Sequence, residues 1–231
     1  MLYALEQLPV QSGTRVPMVL NVSTRTVSGP LDIRCDHSDI YFVLNAGWII
    51  LMARDPQAVY DMNLAAIRIG EQSDVRLPVI VAYDGFFTSH QKRRVETVAD
   101  KEALKAFLGE PSPPYTALDP KNPITFGPYM NDPDLINNKV QQHEAMEAAR
   151  RVIPEVFAEF AEFSGRDYRT VDAYRMDDAE VALVLLNSAA ENAKEVADRL
   201  RDEGQKVGVV SPNVLRPFPT SEIRRLLKNV R

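Results

Sequence analysis

PMVLNVSTRTVSGPLDIRCDHSD, Pro17 to Asp39, is the stretch around which the rest of the chain is organised. From Val16 to Val22 the residues are nearly all apolar, the pattern of a strand buried on both faces in a parallel sheet. The run ends in a polar turn that carries Arg25, followed by Ser28, Gly29 and Pro30, residue types that form turns. A guanidinium at the end of a strand can grip a carboxylate through two parallel hydrogen bonds, and it can equally pair with a nearby aspartate of its own chain. Arg25 is therefore the first candidate for holding an acidic substrate, with Ser28 as a neighbour that shapes the pocket. Asp36, His37, Ser38 and Asp39 are metal-ligand types, but adjacent side chains on an extended segment point to opposite faces and do not converge on one ion. A turn held by its own side-chain hydrogen bonds is expected there instead.

Downstream, Val43 to Gly47 leads into a second apolar run, Trp48 to Ala53. Asp55 and Pro56 then give a cap and a proline at the first helical position. Val59, Met62, Ala66 and Ile69 recur at helical spacing up to Gly70. LPVIVAY, Leu77 to Tyr83, is a third buried strand, stopped by Asp84 and Gly85. Strand, helix and strand in succession predict an α/β layered domain with a parallel sheet, whose ligands bind beyond the carboxyl ends of the strands. Arg25 and Asp84 both fall at such ends. Upstream, Leu2, Leu5 and Leu8 read as one side of a helix that passes through Pro9 and Gly13 into the first strand.

Residues 110–133 hold seven of the sixteen prolines. They can be neither regular helix nor central strand, and an extended arm over the domain or over a partner subunit is expected. Asn137 or Asn138 is expected to cap a long helix with Met146, Ala149, Ile153, Val156, Phe160 and Phe163 on one side, kinked at Pro154 and closed by Gly165. A strand from Val181 to Leu186, a helix from Ala189 to Glu203, a strand from Lys206 to Ser211 and a helix from Thr220 form a second βαβ unit. Two strands make too little sheet to stand alone, so a further strand or a partner is expected.

With 231 residues, 45% of them hydrophobic, the chain can bury a substantial core. A net charge of -5 with scattered basic residues argues against a nucleic-acid partner. The run Lys92 to Arg94 is read as a solvated helix face. Cys35 is the single cysteine, so neither an intrachain disulfide nor a cysteine cage for an iron–sulfur cluster can form within the chain. No signal peptide and no apolar run long enough to span a bilayer are present, which gives a cytoplasmic expectation and no membrane partner.

Asp84, Ser89 and His90 suggest a hydrolytic triad, but no G-x-S-x-G elbow surrounds the serine, and sequence neighbours rarely place Oγ against the imidazole. His143 stands on the long helix without a second ligand at helical spacing and reads as a surface residue. Asn187-Ser188 has the position of a phosphate-binding turn but no glycines for close backbone approach, and Ser188 reads as an N-cap.

Five segments in order, VSTRTVSGPLDIRCDHSDIY, LNAGW, DPQAVYDMNLAA, LPVIVAYDGFFTSH and VGVVSPNVLRPFP, resemble the α subunit of the thiamine diphosphate-dependent 2-oxoacid:ferredoxin oxidoreductases, of the pyruvate:ferredoxin oxidoreductase kind. The resemblance covers nearly the whole chain. It implies a pyrimidine-binding domain over residues 1–165, truncated at its start and carrying the arm, and a second, smaller and incomplete α/β domain over residues 166–231. It implies CoA-dependent oxidative decarboxylation of a 2-oxoacid, pyruvate first, to acyl-CoA, carbon dioxide and reduced ferredoxin. Arg25 maps onto the arginine that binds the substrate carboxylate.

The cofactors implied are thiamine diphosphate with Mg2+ and [4Fe-4S] clusters in the assembled complex, none held wholly by this chain. The implied partners are thiamine diphosphate-binding and iron–sulfur subunits, ferredoxin, the 2-oxoacid and coenzyme A. The family's activating glutamate and its substrate-contacting threonine lie upstream of Met1, so a fragment without activity of its own is expected. Asn45 stands where pyruvate enzymes commonly carry arginine, and with Trp48 it leaves room for a bulkier 2-oxoacid such as phenylglyoxylate. Thr26 to Ser28 supply no acidic residue of the kind expected beside the arginine in oxalate-specific relatives. A non-catalytic interaction or scaffold fragment is the alternative of another class. A generic nucleotide-binding module is disfavoured by the lack of a glycine-rich turn.

Overall fold

A computed structural model describes residues 2–34, 36–110, 113, 116–127 and 129–230. Cys35 therefore lies outside the described residues. After a short 3-10 turn, Leu2–Ala4, the elements are α1 (Gln7–Gly13), β1 (Val19–Thr24), α2 (Ser38–Tyr41), β2 (Ile49–Met52), α3 (Pro56–Gly70), β3 (Val79–Asp84), α4 (Lys101–Leu108) and α5 (Asp134–Ser164). They continue as β4 (Val171–Tyr174), β5 (Val181–Val184), α6 (Asn187–Asp202), β6 (Val207–Pro212), β7 (Val214–Arg216) and α7 (Thr220–Leu226).

The first sheet has the order β1-β3-β2-β7, with β1, β3 and β2 mutually parallel and β7 antiparallel to β2. Successive residues of β2 serve opposite faces. Ile49 and Leu51 pack with Val79, Val81, Met62, Ile69, Ile153 and Phe157 under α3 and α5. Ile50 and Met52 pack with Ile80, Leu8, Ile40, Val43 and Trp48 on the other face. Helices on both faces of a parallel core follow from central strands whose successive residues, Ile49 to Met52 and Val79 to Ala82, are all apolar and buried. The turn into α3 is built as the sequence suggests: Asp55 accepts a hydrogen bond from the Ala58 N–H at 2.7 Å, and Pro56 occupies the first turn.

β1 departs from the expectation of burial on both faces. It is an edge strand among the described residues, with Val22 and Thr24 buried but Asn21 and Ser23 exposed. An apolar run has the same appearance at an edge as at the centre when its polar positions are few. Two further expectations are corrected. Lys92 to Arg94 are exposed but belong to no helix, because the segment has no apolar periodicity to fix one. The helix that follows, α4, was not anticipated, although Asp100 accepts from the Glu102 and Ala103 N–H groups and Gly109 closes it with φ 76°, signals present in the sequence.

The described part of residues 110–133 contains no helix or strand. α5 begins at Asp134 rather than at Asn137 or Asn138, since the Asn138 amide donates to the Gly13 carbonyl (2.9 Å) instead of capping, and the helix runs through Pro154 to Gly165 in the left-handed region. The second sheet, β4-β6-β5, pairs β5 and β6 in parallel around α6 and adds β4 antiparallel to β6. β4 is the further strand that the short βαβ unit called for. The chain then returns to the first sheet as β7.

Candidate functional site

The site is built on the open edge of β1 and the loop that leaves it. Met18 accepts from the Val79 N–H and Thr24 from the Gly85 N–H, which turns the peptide groups of the even-numbered residues toward β3. Val19, Asn21 and Ser23 therefore aim their N–H and C=O groups outward, as alternation in a parallel ladder requires. Along this edge runs a cleft of about 470 Å³, lined by Leu20, Asn21, Val22, Ser23, Arg25, Val27, Ser28 and Asp39, with Tyr3 at its margin. That volume lies in the usual range of small-molecule sites. Arg25 and Ser28, the two residues chosen from the sequence, both border it. The strand-edge residues and Asp39 were not chosen, and their contribution depends on β1 being an edge.

Arg25 is exposed, and among the described residues its guanidinium pairs with no carboxylate; Nη1 donates to the adjacent Thr26 carbonyl at 2.8 Å. The aspartate of the alternative reading is present but acts differently: Asp39 Oδ2 accepts from the backbone N–H of Arg25 at 3.2 Å. Ser38 Oγ accepts from the Val27 N–H at 3.1 Å and bonds to Asp36 Oδ1, which also accepts from the Ser38 N–H at 2.7 Å. The 36–39 cluster is thus the brace of the Arg25 loop, and no metal-binding group of histidine, cysteine, aspartate or glutamate occurs among the described residues. Burial pushes the Asp39 carboxyl up, and the N–H groups of Arg25 and Ile40 only partly offset it. The hydrogen bonds from Ser38 hold Asp36 below the ordinary range.

At the end of β3, Asp84 is fully buried. Its Oδ2 accepts from the Ser188 N–H at the start of α6 at 2.8 Å. His37 Nε2 lies 3.1 Å from Oδ1, an ion-pair distance without well-aligned hydrogen-bond geometry, and 3.2 Å from the Asn187 amide nitrogen. Burial pushes the Asp84 carboxyl up, but His37 and Ser188 outweigh it and leave it below the ordinary value. Ser188 is consequently not the N-cap expected from the sequence: Leu186 stands at that position without a side-chain bond, and Asp84 supplies the acceptor from another element.

Ser89 Oγ lies 2.7 Å from His90 Nδ1, so the expectation that sequence neighbours would miss each other is not met. The pair is exposed, and Asp84 is turned to His37 and α6 rather than to His90, which leaves no Ser-His-Asp relay. His143 is exposed on α5. Asn45 and Trp48 do not line the cleft. Asn45 precedes β2 at the amino end of the parallel sheet, whereas Arg25 follows the carboxyl end of β1. Trp48 is buried, and its indole N–H donates to the Leu8 carbonyl at 2.8 Å. The case these two residues made for a bulkier substrate is removed by their position.

A parallel α/β sheet with an arginine-bearing cleft near a strand's carboxyl end has the layout in which α/β domains bind ligands. Residues 1–158 match the family model described as pyruvate flavodoxin/ferredoxin oxidoreductase, thiamine diphosphate-binding, and residues 179–231 match pyruvate:ferredoxin oxidoreductase core domain II. The chain belongs to the pyruvate:ferredoxin oxidoreductase family. It is 44% identical over 218 residues to the pyruvate synthase subunit PorA of Thermotoga maritima, covering 94% of this chain and 55% of that protein. It is 39% identical to the PorA of Pyrococcus abyssi over 98% of this chain and 57% of that one. The α subunit of the NADH-dependent phenylglyoxylate dehydrogenase of Aromatoleum evansii is 34% identical over 95% of this chain and 54% of its own length.

The chain thus spans about half the length of the curated relatives it matches. Its fold is similar to the solved 2-oxoglutarate:ferredoxin oxidoreductase of Magnetococcus marinus, with a TM-score of 0.62, 18% identity, and coverage of 99% of this chain and 42% of that one. Among the described residues no helix is long and apolar enough to cross a membrane.

Proposed function

We propose that this chain forms part of the α subunit of a cytoplasmic 2-oxoacid:ferredoxin oxidoreductase that decarboxylates pyruvate oxidatively, with acyl transfer to coenzyme A. The observation that carries the reading is Arg25: an exposed guanidinium, unpaired with any described carboxylate, on the wall of a cleft past the end of a parallel strand. Its planar donors suit a carboxylate, and Ser28 beside it adds a hydroxyl. The loop is set before substrate arrives, because Asp39 and Ser38 already hold the backbone at Arg25 and Val27. In this reading Arg25 orients the carboxylate that leaves, while Leu20, Val22 and Val27 exclude water from one wall.

The apolar wall suits the flat ring of thiamine diphosphate. In this reading the diphosphate with its Mg2+, the [4Fe-4S] clusters and the ferredoxin contact are held elsewhere in the assembled complex. When bound, the cofactor supplies the carbanion that attacks the keto carbon and the electron sink for decarboxylation. The separate sheets support a division near residue 165 between a pyrimidine-binding domain and a second α/β domain, with β7 crossing back to the first.

Pyruvate is favoured over phenylglyoxylate by the higher identity to pyruvate synthase subunits. The test is Arg25→Ala in the assembled complex, with acceptor reduction followed over a panel of pyruvate, phenylglyoxylate and branched 2-oxoacids. Losing charge-assisted bonds to the carboxylate should raise the KM for the preferred 2-oxoacid on the order of a hundredfold, with Arg25→Lys intermediate. An unchanged KM would remove Arg25 from the site.

A further inference from the structure

Asp84 is a buried carboxylate that the substrate reading does not use, and it stands where three parts of the chain meet. It ends β3, next to β1: the Thr24 hydroxyl donates to the Tyr83 carbonyl at 3.2 Å and the Gly85 N–H to the Thr24 carbonyl at 3.0 Å. It faces His37, which directly precedes the Ser38–Asp39 brace of the Arg25 loop. It also accepts from the first turn of α6, which carries the core of the second sheet. A carboxylate fully removed from water needs compensating charge or donors. Here the positive end of a sixteen-residue helix and the imidazole edge provide them. Asn187, also buried, adopts the left-handed region with φ 51°, a conformation asparagine tolerates better than most residues, so that its amide comes within 3.2 Å of His37 Nε2.

We infer that His37 and Asp84 are positioning residues that lock the Arg25 loop to the amino end of α6, so that the second α/β unit sets the orientation of the guanidinium in the cleft. The inference rests on the reading of Arg25 as the carboxylate clamp. The path is continuous: the Ser188 N–H bonds to Asp84, Asp84 pairs with His37, and the two residues after His37 hold the backbone N–H groups of Val27 and Arg25 at 3.1 and 3.2 Å. Asp84 Oδ1 makes no hydrogen bond, so the His37 imidazole 3.1 Å away is what compensates it, and removing that ring leaves a buried carboxylate oxygen bare and the brace without its side-chain contact to β3. Positioning of this kind changes how well the clamp binds, because substrate and transition state share the carboxylate contact.

The experiment uses the complete subunit in its complex and varies His37, which is partly exposed, rather than buried Asp84. His37→Ala is expected to raise the KM for the 2-oxoacid about tenfold with kcat nearly unchanged, the loss of one hydrogen bond's worth of positioning. His37→Gln, whose amide nitrogen reaches the place of Nε2, is expected to return the KM to within about threefold of the parent. Hydrogen exchange gives a readout independent of substrate: in His37→Ala the Arg25 and Val27 amides and the first turn of α6 should exchange faster together, while β2 stays protected. If Arg25→Ala raises the KM and His37→Ala does not, or if exchange at Arg25 is unchanged, the inference is overturned. If Arg25→Ala itself leaves the KM unchanged, the substrate reading fails, while exchange still decides whether the lock exists.

Discussion

Asp61 on α3 is fully buried, and its carboxylate fixes the point where the chain leaves α5 for the second sheet. Arg166 donates to both of its oxygens, Nε to Oδ2 at 2.7 Å and Nη2 to Oδ1 at 2.8 Å. The Tyr168 hydroxyl adds a bond to Oδ2 at 2.7 Å, and the Gln57 amide one to Oδ1 at 3.0 Å. Asp61→Ala would leave a largely buried tyrosine hydroxyl and a partly buried guanidinium without their acceptor. Breaking a buried pair from one side costs about 3–5 kcal/mol, and with Arg166 a quarter exposed the lower end applies, about 3 kcal/mol. For a chain of this size that is a drop of about 6–12 °C in melting temperature.

The assay is urea unfolding followed by tryptophan emission, since the single tryptophan, Trp48, is buried against the first sheet. Tyr168→Phe alone should cost about 1 kcal/mol. In the Asp61→Ala background the same change should cost nothing or stabilise, because the orphaned hydroxyl is then removed. A loss below about 1 kcal/mol for Asp61→Ala, or strict additivity of the two substitutions, would refute the carboxylate as the pin of this junction.

Replacing Gly85 by alanine would put a Cβ inside contact distance of the Thr24 carbonyl oxygen and 2.9 Å from that of Ile33, both backbone atoms. A cost at the upper end of the ~1–3 kcal/mol seen for overpacking is expected in a denaturant melt, with accelerated amide exchange in the Arg25 loop. Asp39→Asn keeps an oxygen to accept the Arg25 N–H and removes a carboxylate whose pKa burial has raised. A raised folded pKa means that the protonated form is favoured in the fold, so the variant should be more stable than the parent at pH 7. The difference should close as pH falls through the raised value; a pH series of melts checks it. Asp84, held below the ordinary value, has the opposite sign. Its contribution is full above about pH 4, the unfolded carboxylate value, and is lost as pH falls through the folded pKa, so Asp84→Asn should flatten the acid limb of the same series.

The parts of the fold legible from sequence are those where a local rule and the burial agree. Asp55 and Pro56 start α3, Gly165 ends α5, and the apolar runs of β2 and of β3 up to Tyr83 sit in the centre of their sheet. What was misread depends on partners distant in sequence. Whether β1 is central or at an edge is decided by what lies beside it, and its own residues change little between the two cases. β4 and β7, four and three residues long with mixed polarity, carry no periodicity, and their pairing is set by the neighbouring sheet strands. Asn45 and Trp48 read as substrate-pocket residues from the family resemblance; the parallel sheet places them at its amino end, away from Arg25.

The same logic separates the two roles found near Arg25. Of the chemistry-bearing residues close in sequence, Asp36, Ser38 and Asp39 each accept from a backbone N–H and His37 faces the buried Asp84. Arg25, exposed in the cleft, has no carboxylate partner among the described residues. Buried polar groups must find partners within the fold, whereas an exposed guanidinium can wait for a ligand at little cost. That asymmetry is why Arg25, beside a brace whose side chains bond to backbone N–H groups, is the residue proposed to meet a ligand. It is also why the brace, anchored through His37 to Asp84, is where a change in the second sheet would be felt first in the cleft.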